Sequence, residues 1–278
     1  SHIVMRRLYE HDRAYIFQNA DGRIIFAIPY QKQFTLIGTT DRDYQGDPKD
    51  VHATEDEISY LIAAARDYFK SPLKREDVVW SYSGVRPLYD DGASKAQEAT
   101  RDYVLKLDTP EGQAPLLSVF GGKITTYRRL AEAVLEKFKP YFTSSFSQAG
   151  WTAQQILPGG DFPQTGFQRL VDQMHADYPR FERDHLERLC RLYGTRARMI
   201  LGAAQSPSDL GLNFGGTLTE SEIDYLMREE WAQTADDVLW RRTKLGLFLT
   251  EAETSSLAIA MHAKRQTMFN DPSSSYGH

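Results

Sequence analysis

The chain begins with strand-like apolar runs and ends in helical periodicity. Tyr15-Ile16-Phe17 and Ile24-Ile25-Phe26-Ala27-Ile28 flank Asn19-Ala20-Asp21-Gly22. An Asp-Gly step between apolar, β-branched runs predicts a hairpin, because the turn needs backbone at positive φ and glycine supplies it. Phe34 to Thr40 predicts a third strand, and strands this close in sequence predict an antiparallel meander. Thr54-Glu55-Asp56-Glu57 is a capping box, in which hydroxyl and carboxylate each satisfy a free backbone N–H. Ile58, Leu61, Ile62, Ala65 and Phe69 follow at helical spacing, with Pro72 just past the end. Val78 to Val85 and Tyr103 to Leu107 predict further strands, separated by a surface loop at Asp90 to Ser94. Leu116 to Phe120 predicts a short buried strand. It runs into Gly121-Gly122 and a helix from about Thr125, with Leu130, Val134, Leu135 and Phe138 on the buried face.

The character changes near residue 141. Thr143 to Gln148 reads as a linker and Leu157 to Asp161 as a loop. Helices are then predicted over about 163–177, 180–193, 195–204, 219–242 and 250–269, two of them opened by the capping boxes Thr219–Glu222 and Thr250–Glu253. A disordered tail is expected at 271–278. The organisation is therefore α+β over 1–140 and all-helical over 141–270, without an internal repeat.

Composition narrows the function classes. The 278 residues are 41% hydrophobic and 26% charged, which is globular usage, and the net charge of -5 gives no argument for nucleic acid. Cys190 stands alone, so neither a disulfide framework nor a cysteine-rich metal site is available, and it sits at a helical core position. No run approaches the roughly 18 apolar residues that span a bilayer, which leaves peripheral contact. The apolar stretch after Ser1 is too short for a signal peptide.

Four places carry candidate chemistry. In Ser83-Gly84-Val85-Arg86-Pro87-Leu88, a glycine beside an arginine at a strand end lets backbone approach a ligand while the guanidinium forks onto an anion. The same residues also suit an ordinary strand exit with a solvated arginine. Arg101, in Thr100-Arg101-Asp102-Tyr103, opens a strand as Arg86 closes one. If those strands are neighbours, both guanidiniums reach one dianion; otherwise Arg101 is a surface ion-pair residue. Phe120-Gly121-Gly122-Lys123-Ile124-Thr125 sets a strand end, two glycines, a cation and a helix start at one spot, suited to a phosphate or to the pyrimidine edge of a flavin, or merely to a tight turn. It is not a Walker A loop, since Ile124 follows Lys123. His2 precedes Ile3-Val4, and by itself reads as a solvated side chain near a terminus. No Gly-x-Gly-x-x-Gly follows a strand, so a self-sufficient dinucleotide-binding domain is not expected.

Taken in order, these blocks resemble one family. They are Ser1-His2-Ile3-Val4, Ile37-Gly38-Thr39-Thr40-Asp41, Tyr82 to Leu88, Thr100 to Tyr103, Leu117 to Arg128 and Ala235 to Gly246. The chain resembles the FAD-dependent, membrane-associated glycerol-3-phosphate dehydrogenases, in a C-terminal part lacking the N-terminal FAD-binding segment. The resemblance implies a substrate cap of the glycine and D-amino-acid oxidase type, with a mixed or antiparallel sheet, followed by a helical domain. It implies oxidation of sn-glycerol 3-phosphate to dihydroxyacetone phosphate with FAD, and electron transfer to membrane quinone from the cytoplasmic face; a homo-oligomer is compatible with it. Arg86 and Arg101 match the family's substrate arginines, Lys123 a lysine beside the flavin, and Gly122, Ile124 and Thr125 backbone positions lining it. His2 matches an active-site histidine, suited to take the C2 hydroxyl proton. Without an upstream segment the polypeptide is expected to be inactive and to hold FAD poorly. A related oxygen-using oxidase, or a non-catalytic module that binds a phosphorylated ligand or docks on a membrane, is the alternative. The basic stretch Arg241-Arg242-Thr243-Lys244 fits acidic head groups or intrachain ion pairs.

Overall fold

A computed structural model describes residues 1–89, 100–142 and 150–270, without the side chains of 268–270. The loop expected at 90–94, the linker expected at 143–148 and the tail lie outside the described residues. The chain divides into two compact units, Ser1–Gln155 and Ile156–His278. The division falls later than residue 140 because Thr152 returns to the helix before it, bonding Arg128 at 3.2 Å and also Glu132.

The first unit is built on a five-stranded antiparallel sheet of order β2-β3-β4-β1-β5. Its strands are β1 (His2–Arg6), β2 (Tyr15–Gln18), β3 (Ile24–Tyr30), β4 (Phe34–Gly38) and β5 (Val78–Tyr82). The β2-β3-β4 meander follows the pattern, and Gly22 takes its turn at φ +81°. Helix α1 (Glu55–Arg66) covers one face, driving Ile58, Leu61 and Ile62 against Ile3, Met5, Ile25 and Ile37. Each such side chain removed from water contributes about 1.5–3 kcal/mol.

Strand β1 has no counterpart among the predicted elements, yet it lies centrally between β4 and β5. Ile3, Val4 and Met5 are all fully buried, so the strand shows no polar alternation. His2, Val4 and Arg6 lie on the face opposite α1, opposite Gly38, Leu36 and Phe34 of β4.

Strands β6 (Tyr103–Asp108) and β7 (Leu116–Gly121) form a separate antiparallel ribbon, followed by a short turn (Ile124–Thr126) and α2 (Tyr127–Phe138). Here two expectations fail. Strand β7 is not buried: Leu116 is 64% exposed. No residue of α2 is fully buried, and Leu135 on its apolar face is 40% exposed. A two-stranded ribbon gives each strand one partner, and the contact of α2 with β6 does not bury it fully.

The second unit is helical: α3 (Phe167–Asp177), α4 (Arg183–Tyr193), α5 (Ala197–Leu201), α6 (Glu220–Glu229) and α7 (Glu251–Asn270). Leu186, Leu189, Leu226 and Leu257 form its core. Cys190 joins them, its thiol pushed up to about 11 by burial, as suits an inert core cysteine. Glu222 is fully buried and accepts hydrogen bonds from Arg188 Nη1 and Nη2, each at 2.7 Å, and from the Tyr193 hydroxyl at 2.7 Å. The helix predicted over 219–242 is broken. It stops at Glu229, passes Trp231 at φ +56°, and restarts where the Asp237 carboxylate accepts the N–H groups of Gln233 and Thr234. One π-helical turn (Asp237–Arg242) follows. The basic stretch bonds within the chain: Arg241 to Asp237 at 3.0 Å, Arg242 to the Glu230 carbonyl, and Lys244 to the Trp240 carbonyl.

Candidate active site

The start of β1, the end of β4 and the end of β5 meet at one edge of the sheet, because His2 pairs with both Gly38 and Tyr82. The His2 imidazole stacks on Tyr82, with ring centroids 5.0 Å apart and planes 6° from parallel. It also rests against Gly38, where a Cβ would overlap the ring and stand 2.7 Å from Nε2. Glycine is therefore the residue that admits the imidazole. Burial, helped by Arg86, pushes His2 down to about 4. The ring is thus neutral near pH 7, the form able to accept a proton.

A cavity of about 620 Å³ opens beside it, lined by His2, Thr40, Asp41, Glu57 and Arg86 among others. Arg86 Nη1 lies 3.2 Å from Asp41 Oδ2, with both side chains about half exposed. Such a wet pair is worth at most about 1 kcal/mol, so the guanidinium is held near the cavity while keeping other donors for an anion. Beneath, Glu57 accepts bonds from Thr40 Oγ1 at 2.6 Å, Ser1 Oγ at 2.9 Å, and the Thr54 N–H and hydroxyl at 3.0 Å. Burial opposes its charge, but the bonds from Thr40, Thr54 and Ser1 together outweigh it and hold the carboxyl at about 2.

Of the sequence-derived candidates, His2 and Arg86 line this cavity, while Arg101, Gly122, Lys123, Ile124 and Thr125 do not. The strands of Arg86 and Arg101 are not neighbours, since β5 pairs in the large sheet and β6 in the ribbon. Their backbones nevertheless converge on Gly121. At its φ of +66°, a Cβ would stand 3.3 Å from the Asp102 carbonyl oxygen and 3.6 Å from that of Pro87. The β7–α2 turn presents Lys123, 3.9 Å from Asp102, beside exposed Ile124 and Thr125. Thr40, Asp41, Tyr82 and Ser83 fell within recognised blocks without a role. Glu57 was legible only as a helix cap.

Residues 1–128 match the FAD dependent oxidoreductase family, and residues 151–270 match the C-terminal domain of alpha-glycerophosphate oxidase. A glycerol-3-phosphate dehydrogenase of Pseudomonas aeruginosa is 47% identical over 253 residues, covering 91% of this chain and 49% of the relative. A D-erythritol 1-phosphate dehydrogenase of Brucella abortus is 46% identical over 256 residues, covering 92% and 50%. The solved structure of a glycerol-3-phosphate dehydrogenase from Bacillus halodurans, complexed with FAD, superposes with a TM-score of 0.71 at 25% identity, covering 95% of this chain and 55% of that one. The chain thus spans about half the length of the curated relatives it matches. Joined to a cap-like antiparallel sheet and a helical second unit, these matches set the FAD dependent oxidoreductase model on the first unit and the C-terminal domain of alpha-glycerophosphate oxidase on the second, so that nearly the whole chain is similar to about half of the FAD-dependent glycerol-3-phosphate dehydrogenases.

Proposed function

We propose that this chain is the substrate-binding and C-terminal half of an oxidoreductase converting sn-glycerol 3-phosphate to dihydroxyacetone phosphate, with quinone at a membrane as final acceptor. The observation that carries this reading is a half-buried imidazole stacked on Tyr82 and a lightly engaged guanidinium on the wall of one cavity. Arg86 holds the phosphate dianion through paired N–H donors; Arg101, which does not line the cavity, is left out of that contact. His2 accepts the C2 hydroxyl proton as that carbon becomes a ketone. The quinone partner and a peripheral cytoplasmic placement follow the family resemblance; no helix among the described residues is long and apolar enough to cross a membrane.

The β7–α2 turn fits a flavin. Gly121 and Gly122 hold φ of +66° and +93°, a Cβ on Gly122 would press Tyr103 at 3.2 Å, and the turn offers a lysine, helix-start amides and the exposed apolar side chain of Ile124 together. A cation with free amides suits an electron-rich ring edge. Bound FAD supplies the two-electron acceptor. Lys123, Gly122, Ile124 and Thr125 would hold it, and the oxygen-using oxidase remains the alternative acceptor chemistry.

Calorimetric titration of the purified chain tests the reading. Glycerol 3-phosphate is expected to bind, and Arg86→Ala to weaken it by roughly 10- to 100-fold, the worth of a charge-assisted bond. Glycerol binding as well as its phosphate would defeat the proposal. Tighter binding of D-erythritol 1-phosphate would favour the second reading, a longer polyol phosphate, which the Brucella relative suggests.

A further inference from the structure

Glu57 does more than a capping box needs. Its Oε2 alone serves the cap, accepting the Thr54 N–H and hydroxyl, both at 3.0 Å. Its Oε1 accepts from Thr40 Oγ1 at 2.6 Å and Ser1 Oγ at 2.9 Å, and Ser1 Oγ lies 2.7 Å from Ser83 Oγ. The capping box of α7 is an internal contrast: Glu253 accepts both Thr250 bonds through Oε2, and neither bond reaches another element. Glu57 is 9% exposed and lies on the cavity wall. Among the described residues no salt bridge reaches it; its donors are hydroxyls and an amide.

The positions of those donors matter. Thr40 lies just beyond β4 and precedes Asp41, Ser1 precedes His2 at the start of β1, and Ser83 follows β5 on the way to Arg86. One carboxylate oxygen therefore ties two of the strand ends that carry the site directly, through Thr40 and Ser1, and reaches the third through the Ser1–Ser83 bond. Ser1 and Thr40 are 56 and 17 residues from Glu57, so this is a tertiary tie and not a local turn. We infer that Glu57 is a positioning residue, which through Oε1 fixes the spacing between the His2 imidazole and the Arg86 guanidinium. The inference rests on the reading of those two groups as substrate contacts. That spacing must match the distance from phosphate to C2 in the substrate, and small misplacements in such pairs carry large penalties.

Thr40→Val removes the shortest bond to Oε1 and leaves the cap intact. Glu57→Gln keeps an acceptor for the Thr54 N–H, since glutamine also serves in capping boxes, but loses the doubly accepting oxygen. In the full 278-residue chain, both variants should shift the NMR signals of the His2 ring and the Arg86 Nε–H. Affinity for glycerol 3-phosphate should fall by about tenfold, while affinity for inorganic phosphate, which needs the guanidinium alone, should change by less than about twofold. Thr40→Ser should restore both. Equal losses for the two ligands would mark a merely structural role and overturn the inference, as would unmoved His2 and Arg86 signals. If the wild-type chain binds phosphate but not glycerol 3-phosphate, the functional reading fails, and the NMR signals still decide whether Glu57 positions the two groups.

Discussion

Each unit of the molecule places a glutamate out of water, and the two solve the problem in opposite ways. In the helical unit Glu222 meets a forked guanidinium, a tyrosine hydroxyl and a closed apolar core. In the sheet unit Glu57 meets hydroxyls and one amide on the wall of an open cavity. The first arrangement neutralises charge with charge and is sealed. The second holds its carboxylate with hydroxyls and an amide, with no salt bridge to it among the described residues, and the nearby arginine, Arg86, pairs with half-exposed Asp41. The contrast separates stability from function: in the helical unit the guanidinium is taken up by Glu222 and Thr217, and in the sheet unit Arg86 keeps donors for an anion.

The contrast breaks most heavily at Arg188. Arg188→Met leaves Glu222 charged, buried and unpaired, and should cost about 3–5 kcal/mol in urea unfolding, a loss confined to the helical unit by hydrogen exchange. Removing both partners, as Arg188→Met with Glu222→Leu, should recover much of it. Next comes Gly38→Ala, which forces the His2 ring off β4. Overpacking of this kind should cost about 1–3 kcal/mol, and the Tyr82 stacking shifts on the His2 NMR signals should vanish; an unmoved ring would refute the close packing.

The smallest effect sharpens the comparison through pH. His2 and His185, one in each unit, are both pushed down to about 4, chiefly by burial, from an ordinary 6.5. Protonation is then disfavoured in the folded chain, so their contribution is complete above pH 6.5 and is lost as pH falls toward 4. Glu57, lowered from 4.5 to about 2, holds its contribution above pH 4.5 and loses it toward pH 2. Urea midpoints measured against pH should therefore decline in two stages, and His185→Asn should flatten only the first stage, and only for the helical unit.

Legibility in the sequence followed locality. The Asp21-Gly22 turn and the Thr54–Glu57 cap are decided within four residues, and both stand as read. Strand β1 escaped because Ile3-Val4-Met5 is buried on both faces, leaving an apolar run too short to separate from noise. The helix over 219–242 was overextended because apolar spacing continues through a break made by Trp231 backbone geometry and the Asp237 cap. The side chains of β7 alone read as a buried strand, whereas burial depends on a covering layer that no local pattern encodes. At the site, Arg86 and His2 were found through family resemblance. The second oxygen of Glu57 was out of reach, since its partners lie 17 and 56 residues away.

The central place of β1 has a consequence in time. The meander β2-β3-β4 closes through neighbours in sequence, but β1 must pair first across to β4 and then to β5, with His2 meeting Tyr82 only after some eighty residues have been made and folded back. Contacts of such separation form late, because the loop must be closed before they return anything. His2, Arg86 and the Glu57 tie therefore join as a last act of folding, and a partly folded chain carries a finished hairpin but no site. During refolding, amide protection in β2 and β3 should precede the His2–Tyr82 ring-current shift.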